Sequence, residues 1–146
     1  VHLVYCDNKE KELDKILSGE KTMVVRGAAG KKIPHSRVEE GETLYFMEKG
    51  SGMITATAIV DSVENHAKLS DAAIKDALEQ HQPRLRLTEK QKARWRKKCL
   101  VFVGFRDDGK IGSLAYDHTG GREGWLSLDH IEAVVKSGGT VRQLKC

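Results

Sequence analysis

The feature that most constrains the fold is a long run of alternation. In "MITATAIVDSV", which begins at Met53, apolar side chains recur at every second position for long enough to bend across two parts of a barrel. Shorter β-rich runs surround it: "HLVYC" near the start, "TMVVR" ending at Arg26, "TLYFME" after the turn at Gly41, and the wholly apolar "CLVFVGF" from Cys99. Glycine-rich or polar segments separate them, among them "GAAGKKIPHSR" and "EKGSG". "DDG" from Asp107 predicts a turn that returns "KIGSLAY" as a neighbouring strand, "DHTGGREG" reads as a polar loop, and "TVRQL" supplies a last short strand.

Helical spacing interrupts this pattern twice. Asp7 or Asn8 caps a short helix whose Leu13, Ile16 and Leu17 form one apolar stripe, and Gly19 closes it in the C′ position. Ser70 caps "DAAIKDALEQHQ", where Ala73, Ile74, Ala77 and Leu78 share a face. After Pro83 a second helix begins near Thr88 and ends before Cys99, with Trp95 as its only large apolar residue. Together these elements predict a single α+β domain over residues 1–146: a small β-barrel or highly twisted sheet of five or six strands, flanking helices, and a helical insertion at about 70–98.

The chain is long enough, at 146 residues, to bury about 70% of its unfolded surface. No apolar run approaches the roughly 20 residues that span a bilayer, and "VHLVYC" is too short for the core of a signal peptide, so no membrane association is expected. Cys6, Cys99 and Cys146 are odd in number and widely spaced, which argues against a disulfide framework and predicts a reducing, cytoplasmic setting. The six histidines lack ligand spacing, and the glycine-rich turns lack the Lys-Ser/Thr of a phosphate loop. Neither metal nor cofactor is expected.

Charge is unevenly placed. Eight of the 25 basic residues and one of the 21 acidic ones fall between Arg84 and Lys98, leaving 17 cations against 20 carboxylates elsewhere. The whole basic excess therefore sits in "RLRLTEKQKARWRKK". Such a segment is either a solvated helix face or the footprint of a polyanionic partner.

Four segments in order, "ILSGEKTMVVR", "SRVEEGETLYFMEKGSG", "ITATAIVDSV" and "GGREGWLSLD", resemble the ASCH family, a branch of the PUA-like superfold. The resemblance spans roughly residues 3–130, with the basic insert least typical. It implies a PUA-like barrel with a cleft between barrel and helices, lined by the G-x-K-T segment. Relatives are proposed to bind RNA, and some hydrolyse the amide of acetylated cytidine or cleave RNA. The matching positions are Gly19, Lys21, Thr22 and Arg26, then Lys49 and Ser51, then Arg122 and Trp125. Two departures stand out. Val24 occupies the position where the deacetylating branch carries a threonine, and an apolar side chain can neither attack nor donate a proton. Glu42 replaces the aspartate of the usual Gly-Asp turn, a change an exposed turn accommodates.

Strand alternation points Thr22 and Arg26 one way with Val24 between them, while Met23 and Val25 point the other. Lys21, at the junction, can reach either face. Arg26 offers a bidentate fork to a phosphate or base carbonyl and Lys21 a point charge. If burial or the neighbouring Lys49 and Arg26 lower its pKa, Lys21 becomes a general base, assisted by Thr22 or Ser51, with Lys49 and Arg122 supplying further positive charge. Tyr45, Trp95 and Trp125 are the candidates for base stacking. Trp125 favours a cleft position, Tyr45 reads equally as core, and Trp95 reads more readily as the anchor of its helix. Arg84, Arg94, Arg96, Lys97 and Lys98 would grip the RNA backbone.

Three functions fit these residues. The first is binding of single-stranded RNA or a nucleobase; the second is a hydrolase, ribonuclease or amidohydrolase on a nucleoside such as N4-acetylcytidine; the third is a protein-interaction module.

Overall fold

The computed structural model describes residues 1–30, 35–115, 125–127 and 131. Its elements run β1 (His2–Cys6), α1 (Glu12–Leu17), β2 (Met23–Ala28), β3 (Thr43–Glu48), β4 (Met53–His66), α2 (Asp71–Leu85), α3 (Glu89–Arg94), β5 (Cys99–Ala115) and β6 (Trp125–Ser127). The six strands form one curled mixed sheet in the order β2-β5-β4-β3-β1-β6. Among the described strands, β1 and β3 pair in parallel and the other pairings are antiparallel. The α+β domain expected as a small barrel or highly twisted sheet of five or six strands is thus present as a curled sheet, with six strands among the described residues.

The alternating run becomes β4, the spine of the sheet, which pairs with β3 on one side and with β5 along its length on the other. Register shifts at Ile54/Ala56, Thr57/Ile59 and Val60/Ser62 bend it. The first two leave extra residues on β5 and the third leaves one, Asp61, on β4; such irregularities increase local twist. The "DDG" segment, expected to turn, is absorbed in this way: Ile59 faces Arg106 and Thr57 faces Gly109, so β5 continues through it to Ala115. A long neighbouring strand offers the backbone a hydrogen-bonding template, and that outweighs local turn preference.

Period-two packing places the core on both faces. Val4 and Cys6 of β1, Val24 of β2, Leu44 and Phe46 of β3 and Val101, Val103 and Phe105 of β5 pack with Leu13 and Ile16 of α1. Met23, Val25, Leu100 and Phe102 turn to the opposite face, where α2 covers them with Ile74, Leu78 and Leu85, joined by Leu87 before α3 and Trp95 at its end. Leu3, Tyr5, Met47 and Ile54 form a third cluster with Ile131.

Helix ends follow the sequence in part. Ser70 caps α2 by accepting from the Ala73 amide at 3.2 Å, and Thr88 with Gln91 forms a complete capping box on α3. Gly19, at φ 82°, closes α1. Asp7 does not cap α1; its carboxylate accepts from the amides of Lys9 and Glu10 in the preceding turn, at 2.9 and 3.3 Å. Pro83 does not end α2 either, since the helix carries on to Leu85. A proline there removes one intrahelical bond near the C-terminus. The last turn is held instead by burial of Leu85 and by the Gln82 amide, which donates to the Leu87 carbonyl and accepts from the Leu87 amide at 2.9 and 3.1 Å.

Candidate functional site

Lys21 precedes β2 rather than opening it, and Arg26 lies within the strand rather than at its end. Arg26 shares a face with Val24, and its guanidinium ends between β1 and α1. There Nη1 donates to the Val25 carbonyl at 2.7 Å, and Nη2 donates to the Tyr5 carbonyl at 2.9 Å and to Glu12 Oε1 at 3.1 Å. Lys21 Nζ donates to the Leu85 carbonyl at 2.5 Å and lies 3.7 Å from Glu12 Oε2. Two cations therefore share one carboxylate, with Lys21, Glu12 and Arg26 exposed by only 1%, 2% and 4%.

Burial dominates the electrostatics here. It pushes the Lys21 ammonium down from its usual range, Glu12 partly restores it, and Arg26 depresses it further, to about 8. Burial by itself raises the Glu12 carboxyl, yet Arg26 and Lys21 outweigh it and hold the group below the ordinary carboxylate range. Glu12 is the residue sequence reasoning missed. Its signal was present, because position 12 stands one helical turn before Ile16 on the apolar stripe of α1, where an acid needs a buried cation.

Glu12 and Arg26 reach the wall of a small recess also lined by Tyr5, Asp7, Lys49, Gln91, Arg94 and Trp95. Its enclosed volume is about 10 Å³, close to the space one water needs. Lys21 is not on that wall; it lies behind Glu12. Arg94, at the end of α3, pairs with Asp7 across 3.6 Å, and both Arg94 and Arg26 stand over the Trp95 ring, 5.0 and 5.3 Å from its centroid. Lys49, after β3, has no ion pair among the described residues. Burial lowers its pKa, and the nearby Arg94 and Arg26 lower it further.

The structure thus brings Arg26, Lys49 and Arg94 together and sets Lys21 one layer deeper, but it separates other expected partners. The Thr22 hydroxyl accepts from Arg84 Nε at 3.0 Å, and Arg84 Nη2 also reaches the Thr22 carbonyl and Asp61. Arg84 is therefore a strap holding α2 to β2 and β4, not a free backbone contact. The strap runs over Gly104, where a Cβ would meet Ser62 Oγ and the Arg84 guanidinium. Ser51 is a turn residue whose hydroxyl donates to the Glu48 carbonyl at 2.7 Å and does not line the recess.

Trp125 is not in the cleft. It is buried at 4% exposure, packs in the first core cluster, and its indole donates to His2 Nδ1 at 3.2 Å. In β6 it pairs opposite Val4, and that strand pairing turns the ring inward. Tyr45 is half-buried against the third cluster, and Trp95 anchors α3 in the second. Arg96, Lys97 and Lys98 are exposed beyond α3, and Arg122 lies outside the described residues. Glu42 suits its turn as expected, accepting from the Glu39 amide at 2.6 Å and facing His2 Nε2 at 3.0 Å.

The curled mixed sheet with its parallel β1–β3 pair and the helices packed on it make an α+β half-barrel, consistent with the PUA-like fold. More particularly, the chain has the ASCH-domain fold. It superposes on the crystal structure of ASCH from Zymomonas mobilis with a TM-score of 0.67, at 13% identity and with 90% of each chain covered. Two single-substitution variants of that protein match with a TM-score of 0.68, at 13% identity over 90% of this chain and 90% and 92% of theirs. No family model matches the sequence, and no curated protein matches it at a significant level. Among the described residues, no helix is long and apolar enough to cross a membrane.

Proposed function

We propose that this protein binds single-stranded RNA through the recess at Arg26, Lys49 and Arg94 and the exposed cations that follow it in the chain. One observation carries the reading: cations from β2, from the turn after β3 and from α3 converge on a single concavity, and Arg96, Lys97 and Lys98 stand exposed in the segment just after α3. Sequence-independent affinity for a polyanion is expected of such an arrangement, and it weakens steeply with salt. Base stacking plays little part, because Trp125 and Trp95 are buried and the Trp95 ring already carries two guanidinium groups.

The test is fluorescence anisotropy of an end-labelled single-stranded RNA at low and moderate salt. A stable rise that falls with salt supports binding; no rise at either salt refutes it. A hydrolytic second reading has one observation in its favour, the Lys21 ammonium held at about 8 beside a carboxylate that reaches the recess. It predicts a rise that decays as the RNA is cut, and loss of that decay in Lys21→Met.

A further inference from the structure

Helix α3 separates two concavities. Gln91, Arg94 and Trp95 line the small recess, whereas Glu89, Lys92 and Ala93 line a groove that α2 completes with Lys75, Leu78 and Glu79, and that Arg96 joins from the segment after α3. At 3.6 residues per turn the two sets fall on different faces of the helix. The spaces differ in size, about 10 Å³ for the recess and about 470 Å³ for the groove. The first holds one water; the second lies in the range of small-molecule sites and takes a nucleobase.

The groove is chemically mixed. Leu78, which is buried, and Ala93 give it an apolar patch. Lys92 pairs with Glu89 at 3.2 Å, while Lys75, Glu79 and Arg96 are exposed and have no ion pair among the described residues. A seat for phosphate alone gains nothing from Glu79. Lys75 and Glu79, one helical turn apart on α2, instead set a group that only donates hydrogen bonds beside one that only accepts them.

We infer that the groove seats one nucleobase of the RNA strand whose backbone meets the recess, and that this base carries an exocyclic amino group, as cytosine and adenine do. The ring lies on Leu78 and Ala93, Glu79 accepts from the amino group, and Lys75 donates to the acceptor beside it on the ring. Uracil presents a carbonyl oxygen where cytosine has its amino group, and a carboxylate repels that oxygen. Edges of unpaired bases are the usual source of sequence preference in single-stranded RNA. Arg96 faces the backbone where the strand crosses α3. The inference rests on the RNA reading and adds a base preference to it.

The test compares end-labelled oligocytidylate and oligouridylate of equal length by anisotropy at neutral pH over a range of salt. Oligocytidylate is expected to bind at least about fivefold more tightly. Glu79→Ala should remove that preference. Ala93→Leu, which fills the apolar patch without changing charge, should weaken oligocytidylate binding while leaving its salt dependence unchanged. Both positions are exposed, so both variants should stay folded by circular dichroism. Equal affinity for the two oligomers, tighter binding of oligouridylate, or a preference that survives Glu79→Ala overturns the base seat and leaves RNA binding intact; the groove would then be open to a protein partner. Where neither oligomer binds, the RNA reading fails by itself, and calorimetric titration with cytidine and uridine monophosphates decides the seat. Binding of the cytidine nucleotide alone, lost in Ala93→Leu, supports it; equal binding of both, or of neither, overturns it.

Discussion

The molecule carries two cationic regions made of the same residue types and put to opposite uses. Lys21 and Arg26 lie in the interior around Glu12, each with fixed partners. Arg96, Lys97 and Lys98 lie in water beyond α3. Charge in the interior is an element of structure, because removing one partner leaves the others buried without a counter-charge. Charge on the surface is almost free of structural consequence and remains available to a partner. Arg94 and Lys49 stand between the two regimes, at the rim where a fixed field meets solvent.

The largest expected break in this contrast is Glu12→Ala. It leaves two buried cations without their carboxylate and should lower stability by about 3–5 kcal/mol in urea denaturation. A loss below about 1 kcal/mol would mean that Lys21 and Arg26 find water in the native state.

Next is the pH response of Lys21. Its folded pKa, about 8, lies below the ordinary lysine value of 10.5, so the unfolded state binds more protons between those values and stability rises with pH across that window. The penalty of burying the charged amine is present below about 8 and is relieved above it. Cys6, whose thiol burial pushes well above 9.0, acts in the opposite sense as pH rises past 9.0. Comparing the wild type with Lys21→Met in a Cys6→Ala background removes the Cys6 contribution, which Lys21 itself influences. The difference in stability should shift in favour of the wild type by on the order of 3 kcal/mol from pH 8 to 10.5. A constant difference would place the ammonium in solvent.

The smallest effect on stability should come from neutralising Arg94, Arg96, Lys97 and Lys98 together to glutamine. Unfolding should change by no more than about 0.5 kcal/mol per site, while RNA affinity falls and its salt dependence becomes shallower. A collapse of the fold, or affinity left unchanged, would erase the distinction between the two regions.

Much of this was legible from short-range pattern. Alternation located β1 to β4, helical spacing and caps located α2 and the start of α3, and the charge run marked the surface region. What escaped depends on contacts distant in sequence. "DDG" is extended because β4 lies beside it, Pro83 stays helical because Leu85 is buried beyond it, and Trp125 is core because β6 pairs with β1. Glu12 was hidden for a related reason. The sequence showed cations at the two ends of "KTMVVR", but their carboxylate comes from the preceding helix, and charge counting does not join residues across a fold.

The most direct test of the central claim, that the recess is part of a polyanion-binding surface, is the salt dependence of RNA binding by wild type and Lys49→Gln. Plotted as log association constant against log salt concentration, the wild-type line should be steeper by about 0.7, the contribution of one phosphate contact to a single strand. Superimposable lines of equal slope would contradict the account, since they would mean that Lys49 meets no phosphate.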